Sequence, residues 1–151
     1  MSDPVPSLRE VQGSDEELRQ LAALLATMDD EPELALATMR ERYAAMQRFP
    51  FYRCYLMVDA DDRPLGTFSL LLFPTMVHDG RPEAIVEGVV VAPAARGTGV
   101  GKAMMHEAMR IAREAGACKL ALSSNARRLR THDFYRSLGF TEHGISFSTA
   151  L

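Results

Sequence analysis

Apolar residues recur every three or four positions in two stretches near the beginning of the chain, and this spacing predicts two amphipathic helices. The first helix starts with the acidic stretch 15–17, whose carboxylates would interact favourably with the positive end of the helix dipole. The second is predicted to open at Pro32 and to end before Pro50. The apolar positions are Leu18, Leu21, Ala22, Leu25 and Met28 in the first helix, and Leu36, Met39, Tyr43 and Met46 in the second.

Runs of β-branched and aromatic residues bounded by turn residues predict the strands. A third helix, from about Gly99 to Ala115, and a fourth that ends near Leu138 separate the later strands. The predicted strands are 7–12, 52–58, 65–73, 84–91 and 118–123, with two short strands around Phe140 and over 145–148. The resulting order, β-α-α-β-β-β-α-β-α-β-β, indicates an α/β (α+β) protein.

Composition indicates one globular domain over residues 1–151. The chain has 47% hydrophobic and 25% charged residues, and it is long enough for a single core. The apolar run 70–73, like every other apolar run in the chain, is far shorter than a membrane span, and residues 1–11 lack the basic and apolar regions of a signal peptide. A net charge of -3 argues against a nucleic-acid partner. We therefore expect a cytoplasmic protein that binds neither nucleic acid nor membrane.

The two cysteines, Cys54 and Cys118, both lie in apolar runs that are typical of strands. This placement favours reduced core residues over a disulfide. No set of cysteine and histidine residues has the spacing of metal ligands, so we expect no metal.

Residues 87–102 are the most informative stretch, because a β-branched strand there leads into a glycine-rich turn that opens a helix. Gly97, Gly99 and Gly101 permit backbone angles and close approaches that a Cβ would block. The first turn of the helix presents unpaired N–H groups at the positive end of its dipole. The stretch therefore predicts a phosphate-binding turn that needs no metal.

Two other phosphate-binding motifs do not fit these residues. A P-loop requires glycine five residues before Gly101 and Ser or Thr after Lys102, but the chain has Arg96 and Ala103 there. The dinucleotide-binding motif requires a glycine in place of Lys102 and an acidic residue about 20 residues further on. Three alternating glycines would each cost a helix about 1 kcal/mol, so we expect a ligand to require them.

The segment Arg96-Gly97-Thr98-Gly99-Val100-Gly101 resembles the Arg/Gln-x-x-Gly-x-Gly/Ala loop of the Gcn5-related N-acetyltransferase (GNAT) superfamily. In that superfamily the loop holds the pyrophosphate of acetyl-coenzyme A (acetyl-CoA). Residues 133–140 resemble the superfamily's other signature, a helix that carries Phe134-Tyr135 and ends in Gly139-Phe140. The two segments have the superfamily's order and usual separation, and the resemblance extends from about Cys54 to the end of the chain.

The resemblance implies the GNAT fold, with a mixed central sheet of about six to seven strands and helices on both faces. It also implies that acetyl-CoA is the co-substrate. The residues that match the superfamily's coenzyme-binding strand and loop are Val89, Val90, Val91, Arg96, Gly97, Thr98, Gly99, Val100, Gly101 and Lys102.

Transfer of an acetyl group to an amine requires a base, because an alkylammonium has a pKa near 10 and only the neutral amine reacts. Glu87 lies in the strand before the phosphate-binding turn, where similar enzymes often use a glutamate, and partial burial can raise the pKa of a carboxylate toward neutrality. Two alternatives remain open. Glu87 orients a charged substrate or pairs with an arginine, or Glu83 is the base.

The leaving thiolate requires a proton or a hydrogen-bond donor. Tyr135 matches the superfamily's tyrosine that serves as general acid, and an interior aromatic role is its alternative. In the superfamily a strand N–H stabilises the acetyl oxygen, at positions matched by 89–91, and Gly88 could allow a bulge that leaves such an N–H unpaired. No cysteine lies beside Glu87 or Tyr135 in these motifs, so we expect direct attack in a ternary complex.

The chain departs from the superfamily's pattern before Tyr135. Many relatives carry Asn seven residues earlier and an alanine between, but this chain has Arg128 and Thr131. Asn125 would replace that Asn if the loop is longer, and Arg128 is the alternative contact to the coenzyme. Arginines at 127, 128 and 130 would meet a phosphate of the coenzyme or would begin a solvated helix.

The expected function is acetylation of a primary amine, as in the small-molecule acetyltransferases of bacteria. The alternatives are a non-catalytic acyl-CoA-binding sensor or partner module, and an acetyltransferase for protein N-termini or lysines. Residues 29–49 and 74–83 are expected to select the acceptor amine. A homodimer is compatible with these expectations.

Overall fold

The computed structural model describes residues 5–28 and 32–151. Within these residues the chain forms two compact units, the first extending to Ala121 and the second running from Leu122 to Leu151. The start of the predicted acceptor-selecting segment, 29–31, and residues 1–4 lie outside the described part of the chain.

The first unit contains a mixed sheet whose strands lie in the order of the sequence. The first four strands are antiparallel to their neighbours, and the fifth is parallel to the fourth. Short 3₁₀ turns occupy 78–80 and 93–95. The helices and strands are β1 (Ser7–Glu10), α1 (Asp15–Leu25), α2 (Leu36–Met46), β2 (Tyr52–Val58), β3 (Pro64–Phe73), β4 (Glu83–Val91), α3 (Val100–Glu114) and β5 (Leu120–Ala121).

Helices cover both faces of this sheet, as the resemblance implied. Leu56 and Val58 of β2 belong to a buried cluster with the apolar faces of α1 and α2. The alternate residues Tyr55 and Met57 are also buried and line a cavity together with residues of α3. Because side chains alternate along a strand, α1 and α2 lie on one face and α3 on the other. Both cysteines are free thiols, as expected.

Helix α1 begins with a complete capping box. The Ser14 Oγ accepts a hydrogen bond from the Glu17 N–H at 3.2 Å, and the Glu17 carboxylate accepts from the Ser14 N–H at 3.0 Å. The same carboxylate accepts from the Gln12 N–H at 3.0 Å. Glu17 therefore joins the end of the β1 segment to the start of α1, in addition to its favourable place near the helix dipole.

Several predicted bounds are wrong. Helix α2 begins at Leu36, where the apolar period itself begins, and not at Pro32. The first strand ends at Glu10, and the predicted strand 118–123 is reduced to Leu120–Ala121. A proline at a first turn permits a helix there but does not require it.

The two predicted terminal strands are absent among the described residues, and the sheet has five strands rather than six to seven. Residues 141–151 are exposed, and Ile145 and Phe147 retain 82% and 90% of their accessible surface. Their local composition favours a strand, but a strand also needs a partner that pairs with its backbone.

The second unit contains α4 (Leu129–Ser137). It ends in a Schellman motif, in which the Gly139 N–H donates to the Arg136 carbonyl at 3.0 Å and the Phe140 N–H donates to the Tyr135 carbonyl at 3.1 Å. Gly139 has a φ of +91°, so the sequence-based prediction that it terminates the helix is confirmed.

Gly66 of β3 allows α3 to approach the sheet. A Cβ at this residue would lie 2.5 Å from the Met104 Sδ and 2.8 Å from the Val90 carbonyl oxygen. The thioether can move, but the backbone oxygen of a paired strand cannot move without distorting β4. We therefore expect Gly66→Ala to lower the free energy of unfolding by about 1–3 kcal/mol, measured by urea denaturation.

Gly144 is the matched control, because a Cβ built there meets no atom within 4 Å. Gly144→Ala should change stability by less than about 0.5 kcal/mol. Equal stability of the two variants would contradict the close packing of β3 and α3 at Gly66.

Candidate active site

Strand β4 has a paired neighbour on both sides only at its beginning. Ala84 and Ile85 pair with Leu120 and Ala121, where β5 ends. Within the described chain, the edge of β4 that faces away from β3 therefore has no paired strand over 86–91. An edge of this kind offers backbone N–H and C=O groups to an extended ligand.

A β-bulge interrupts β4 beside this open edge. Thr67 pairs with Val90 and Ser69 pairs with Glu87, so the one residue between them on β3 lies opposite two residues, 88–89, on β4. Gly88 has a φ of +58°, which glycine adopts without steric cost. The bulge that the sequence predicted at Gly88 is therefore present.

The N-terminus of α3 has no side-chain cap. Its N-cap residue is Gly99, with a φ of +90°, and Gly97 in the preceding loop has a φ of +75°. The N–H of Ala103 is the group that reaches the Gly99 carbonyl, so the N–H groups of 100–102 have no acceptor within the helix. These free N–H groups at the positive end of the helix dipole are the feature that an anion-binding turn requires, and phosphate binding here remains a prediction.

The other loop residues hold the turn in shape. The Arg96 Nε donates to the Val91 carbonyl at 3.2 Å, and the Thr98 hydroxyl donates to the Ala95 carbonyl. Gly101 lies within the first turn of α3 and has no left-handed φ. Its backbone angle therefore does not require glycine, and its predicted role in the close approach of a ligand remains a prediction.

Glu87 and Glu83 lie in different environments. Glu87 is exposed, in contrast to the partial burial that we expected, and it has no hydrogen-bond or ion-pair partner among the described residues. The Glu83 Oε1 lies 3.3 Å from the His78 Nε2 and 3.5 Å from the Lys119 Nζ. Glu87 is thus available to a substrate, whereas Glu83 is engaged in holding the loop before β4.

Tyr135 lies in α4 of the second unit. Its ring packs against Phe134 and Phe140, with centroid distances of 5.2 Å and 5.6 Å. Burial raises the pKa of Tyr135 above its ordinary value, and the positive charge of Arg128 acts in the opposite direction. The phenol therefore keeps its proton at neutral pH, as a proton donor requires.

Asn125 organises the turn before α4. Its Oδ1 accepts from the Arg127 N–H at 2.9 Å, and its carbonyl accepts from the Arg128 N–H at 3.0 Å. The same carbonyl lies 2.8 Å from the His132 Nε2. These bonds give Asn125 a structural role, and its predicted contact with the coenzyme remains a prediction.

The model of the acetyltransferase (GNAT) family matches residues 18–140. The chain belongs to the GNAT family. A glucosamine 6-phosphate N-acetyltransferase from Trypanosoma brucei brucei is 38% identical over 81 residues, which cover 54% of this chain and about half, 53%, of that relative. A probable glucosamine 6-phosphate N-acetyltransferase from Oryza sativa subsp. japonica is 28% identical over 145 residues, 93% of this chain and 85% of the relative.

The GNAT fold is also found in solved structures that are similar to this one. A putative acetyltransferase from Agrobacterium tumefaciens str. C58 superposes with a TM-score of 0.87 and 28% identity, over 96% of this chain and 99% of that chain. The fold predicted from the two sequence signatures is therefore confirmed, with fewer strands than expected.

Two features are absent from the described residues. No helix among them combines the length and the apolar character that crossing a membrane requires. No cluster of three or more His, Cys, Asp or Glu residues among them could hold a metal ion.

The sequence analysis missed a polar contact beside Glu87. The Ser69 Oγ lies 3.1 Å from the Cys54 Sγ, and Ser69 is paired directly with Glu87 across β3 and β4. The serine within the largely apolar segment 65–73 was the signal for a polar contact, since it places a hydroxyl group on a strand whose other side chains are mostly apolar. The contact itself depends on the strand register, which the sequence does not specify.

Gly101→Val should weaken acetyl-CoA binding at least about tenfold, which corresponds to roughly 1.4 kcal/mol. The added side chain would obstruct the approach of a phosphate to the N–H groups of 100–102, and the helical φ of Gly101 limits strain in the free protein. Isothermal calorimetry measures the affinity, and circular dichroism checks that the variant folds.

Ala115→Val, at the exposed C-terminal end of the same helix, is the control and should bind acetyl-CoA like the wild type. A folded Gly101→Val variant with unchanged affinity would overturn the assignment of the loop. The corresponding change Gly99→Val should also weaken binding at least about tenfold, but it strains a residue with positive φ as well.

Proposed function

We propose that this protein is an acetyl-CoA-dependent N-acetyltransferase that acetylates the primary amine of a small molecule by direct attack in a ternary complex. One observation carries the proposal: a single stretch of chain runs from the bulged, open edge of β4 into the uncapped N-terminus of α3. Family membership supports the reaction. The amino-sugar relatives support a small acceptor.

The first unit offers acetyl-CoA two kinds of contact. The N–H groups of 100–102 suit a pyrophosphate, because they converge at the positive end of the α3 dipole. The open edge of 86–91, which includes the proposed contacts at 89–91, suits the amide groups of an extended pantetheine arm. Arg96 and Thr98 keep the intervening loop in shape through their bonds to backbone carbonyls.

Glu87 is proposed to remove the proton of the acceptor ammonium. Its carboxylate is exposed and unpaired, and it lies next to the bulge where the acetyl group would be held. Glu83 is a weaker candidate because His78 and Lys119 already engage its carboxylate. Proton transfer takes place directly or through one water molecule.

Tyr135 is proposed to protonate the departing thiolate. The acceptor nitrogen forms a bond to the acetyl carbon, the carbon–sulfur bond breaks, and the phenol proton passes to sulfur. The nitrogen loses its second proton as the amide forms, and this proton returns to the phenolate of Tyr135 through water, while Glu87 releases the first proton to the solvent. A backbone N–H among 89–91 stabilises the negative charge that develops on the acetyl oxygen. Each proton thus has a named donor or acceptor in this chain.

A screen of acceptors tests the function. Amino sugars, polyamines, amino acids and peptides are incubated with the protein and acetyl-CoA, and thiol release and the mass of the product are measured. An acetylated small amine supports the proposal. Binding of acetyl-CoA without transfer to any acceptor would identify a binding module, and acetylation of peptides alone would identify a protein acetyltransferase.

Tyr135→Phe should lower kcat about a hundredfold to ten-thousandfold and leave the KM for acetyl-CoA nearly unchanged, because a general acid acts on the transition state. Since burial raises the pKa of Tyr135, the wild type should lose this proton donor only at a pH above the ordinary titration range of a phenol. Steady-state kinetics over a range of pH measures both effects.

Tyr43→Phe is the control for Tyr135→Phe. It removes a hydroxyl that donates to the Val11 carbonyl at 3.1 Å, so it should reduce stability by about 1 kcal/mol and should not cause a fall in kcat of a hundredfold or more. A fully active Tyr135→Phe variant would restrict Tyr135 to its packing against Phe134 and Phe140.

Glu87→Gln should lower kcat and leave the affinity for acetyl-CoA nearly constant, because the amide keeps the shape but cannot accept the proton. The acidic limb of the wild-type rate profile should follow a carboxylate. In the variant that limb should disappear, and activity should rise toward the pKa of the amine near 10, because only the neutral amine reacts. The kcat–pH profile checks this result.

Glu83→Gln distinguishes the two carboxylates, since it should leave the shape of the profile unchanged. Normal turnover and an unmoved profile in Glu87→Gln would limit Glu87 to orienting the substrate. Loss of the acidic limb in Glu83→Gln would transfer the role of base to Glu83.

A further inference from the structure

Cys54, Ser69 and Glu87 form one row across β2, β3 and β4. The register pairs Cys54 with Ser69 and Ser69 with Glu87. Side chains that are directly opposite in antiparallel strands lie on the same face, with Cβ atoms about 5 Å apart. The row lies on the face that α1 and α2 cover, because Leu56, two residues after Cys54, packs in their cluster. It ends against α2, whose Met46 Sδ lies 3.9 Å from the Cys54 Sγ.

Cys54 and Ser69 share one hydrogen bond, in which either atom can be the donor. Burial raises the pKa of the Cys54 thiol, so the thiol keeps its single proton at neutral pH. The Ser69 Oγ lies 3.1 Å and the Met46 Sδ lies 3.9 Å from the Cys54 Sγ, and the thioether can only accept. The S–H group donates to Met46 or to Ser69, and in neither case does the sulfur bind the Ser69 proton strongly.

Ser69 then has its own proton to donate. The sulfur of Cys54 is a weak acceptor, whereas the carboxylate of Glu87 on the neighbouring strand is a strong one. The side chain of Glu87 is exposed, and Glu87 is the residue directly opposite Ser69 on the neighbouring strand. Ser69 and Glu87 are also the last pair before the bulge at Gly88, so their register is fixed.

We propose that Ser69 is a positioning residue for the general base: its hydroxyl, which lies between Cys54 and Glu87 in the row, donates a hydrogen bond to the Glu87 carboxylate and holds it beside the bulge at Gly88. This inference rests on the proposed function, in which Glu87 accepts the proton of the amine. A hydrogen bond to the charged form stabilises the carboxylate, so its loss moves the titration of Glu87 to higher pH.

Other ionisable groups lie on this face or pack against it. Glu17 of α1 is held in the capping box, and Tyr43 of α2 donates to a backbone carbonyl. Tyr52 lies two residues before Cys54 in β2. Glu83, four residues before Glu87, is paired with Lys119 and His78. The variants described next leave all of these groups in place.

Ser69→Ala should lower kcat about threefold to tenfold at neutral pH, with the KM for acetyl-CoA unchanged, and should move the acidic limb of the kcat profile to higher pH by about half a unit or more. Ser69→Thr keeps the hydroxyl and suits a strand, so it should restore both values to nearly those of the wild type. A threonine variant that behaves like the alanine variant would contradict a role for the hydroxyl.

Thr67→Val is the matched control. It removes a hydroxyl from the same strand and the same face, where the Thr67 Oγ1 donates to the Tyr55 carbonyl at 2.7 Å. This change should reduce stability and leave the acidic limb unmoved. An equal movement of the limb in Thr67→Val and Ser69→Ala would show that the effect is structural, and it would overturn the proposal.

A titration that does not depend on activity separates this inference from the proposed function. Carbon-13 NMR of labelled glutamate carboxyl groups follows Glu87, whose signal is assigned by its loss in Glu87→Gln. Its titration midpoint should move to higher pH in Ser69→Ala and stay in place in Ser69→Thr.

An unchanged titration midpoint of Glu87 in Ser69→Ala would overturn the proposed contact. A rise in the KM for the acceptor with an unchanged acidic limb of the kcat profile would also overturn it. If the wild type transfers no acetyl group to any acceptor, the proposed function fails. The NMR titration still decides whether Ser69 binds Glu87.

Discussion

The arrangement of the first unit depends on one extra residue in β4. Two residues of that strand, Gly88 and Val89, lie opposite the single residue Phe68 of β3. In an uninterrupted strand, residues 87 and 90 would point to opposite faces. The bulge puts Glu87 and Val90 on the same face, and on that face the carboxylate of Glu87 is exposed whereas the side chain of Val90 is buried. A strand without the bulge would turn one of these two side chains to the face that α3 covers.

Helices α1 and α3 of the first unit begin in opposite ways: side chains of the protein cap the start of α1, whereas no side chain caps the start of α3. At α1, Ser14 and Glu17 satisfy each other's backbone N–H groups, which stabilises the helix without any ligand. At α3, Gly99 contributes no side chain, and the N–H groups of 100–102 keep their capacity for an external acceptor. The fold tolerates this second helix start because α3 is anchored by buried residues along its length.

Features that depend on the local sequence could be predicted, whereas features that depend on the pairing of distant strands could not. The glycine-rich turn, the bulge at Gly88 and the helix end at Gly139 follow from what glycine alone can do, and all three are present. The exposure of Glu87 and the contact between Cys54 and Ser69 depend on which residues of separate strands are paired, and one sequence does not contain that information. The strand predicted at 145–148 is absent for the same reason: its composition is suitable, but no strand among the described residues pairs with it.

The close packing of Gly66 against Met104 has a consequence for how the protein can diversify. It fixes α3 against β3, and Gly66 is also paired with Val91 at the end of β4, so the distance from the bulge to the glycine-rich turn before α3 is set by a rigid framework. On the other face of the sheet, Tyr52, Leu71 and Ile85 are only half-buried. Substitutions among these three residues would change that face and leave the spacing between the bulge and the turn intact. Under the proposed function, the surface near the acceptor can therefore vary in small steps while the length of the bound coenzyme stays the same.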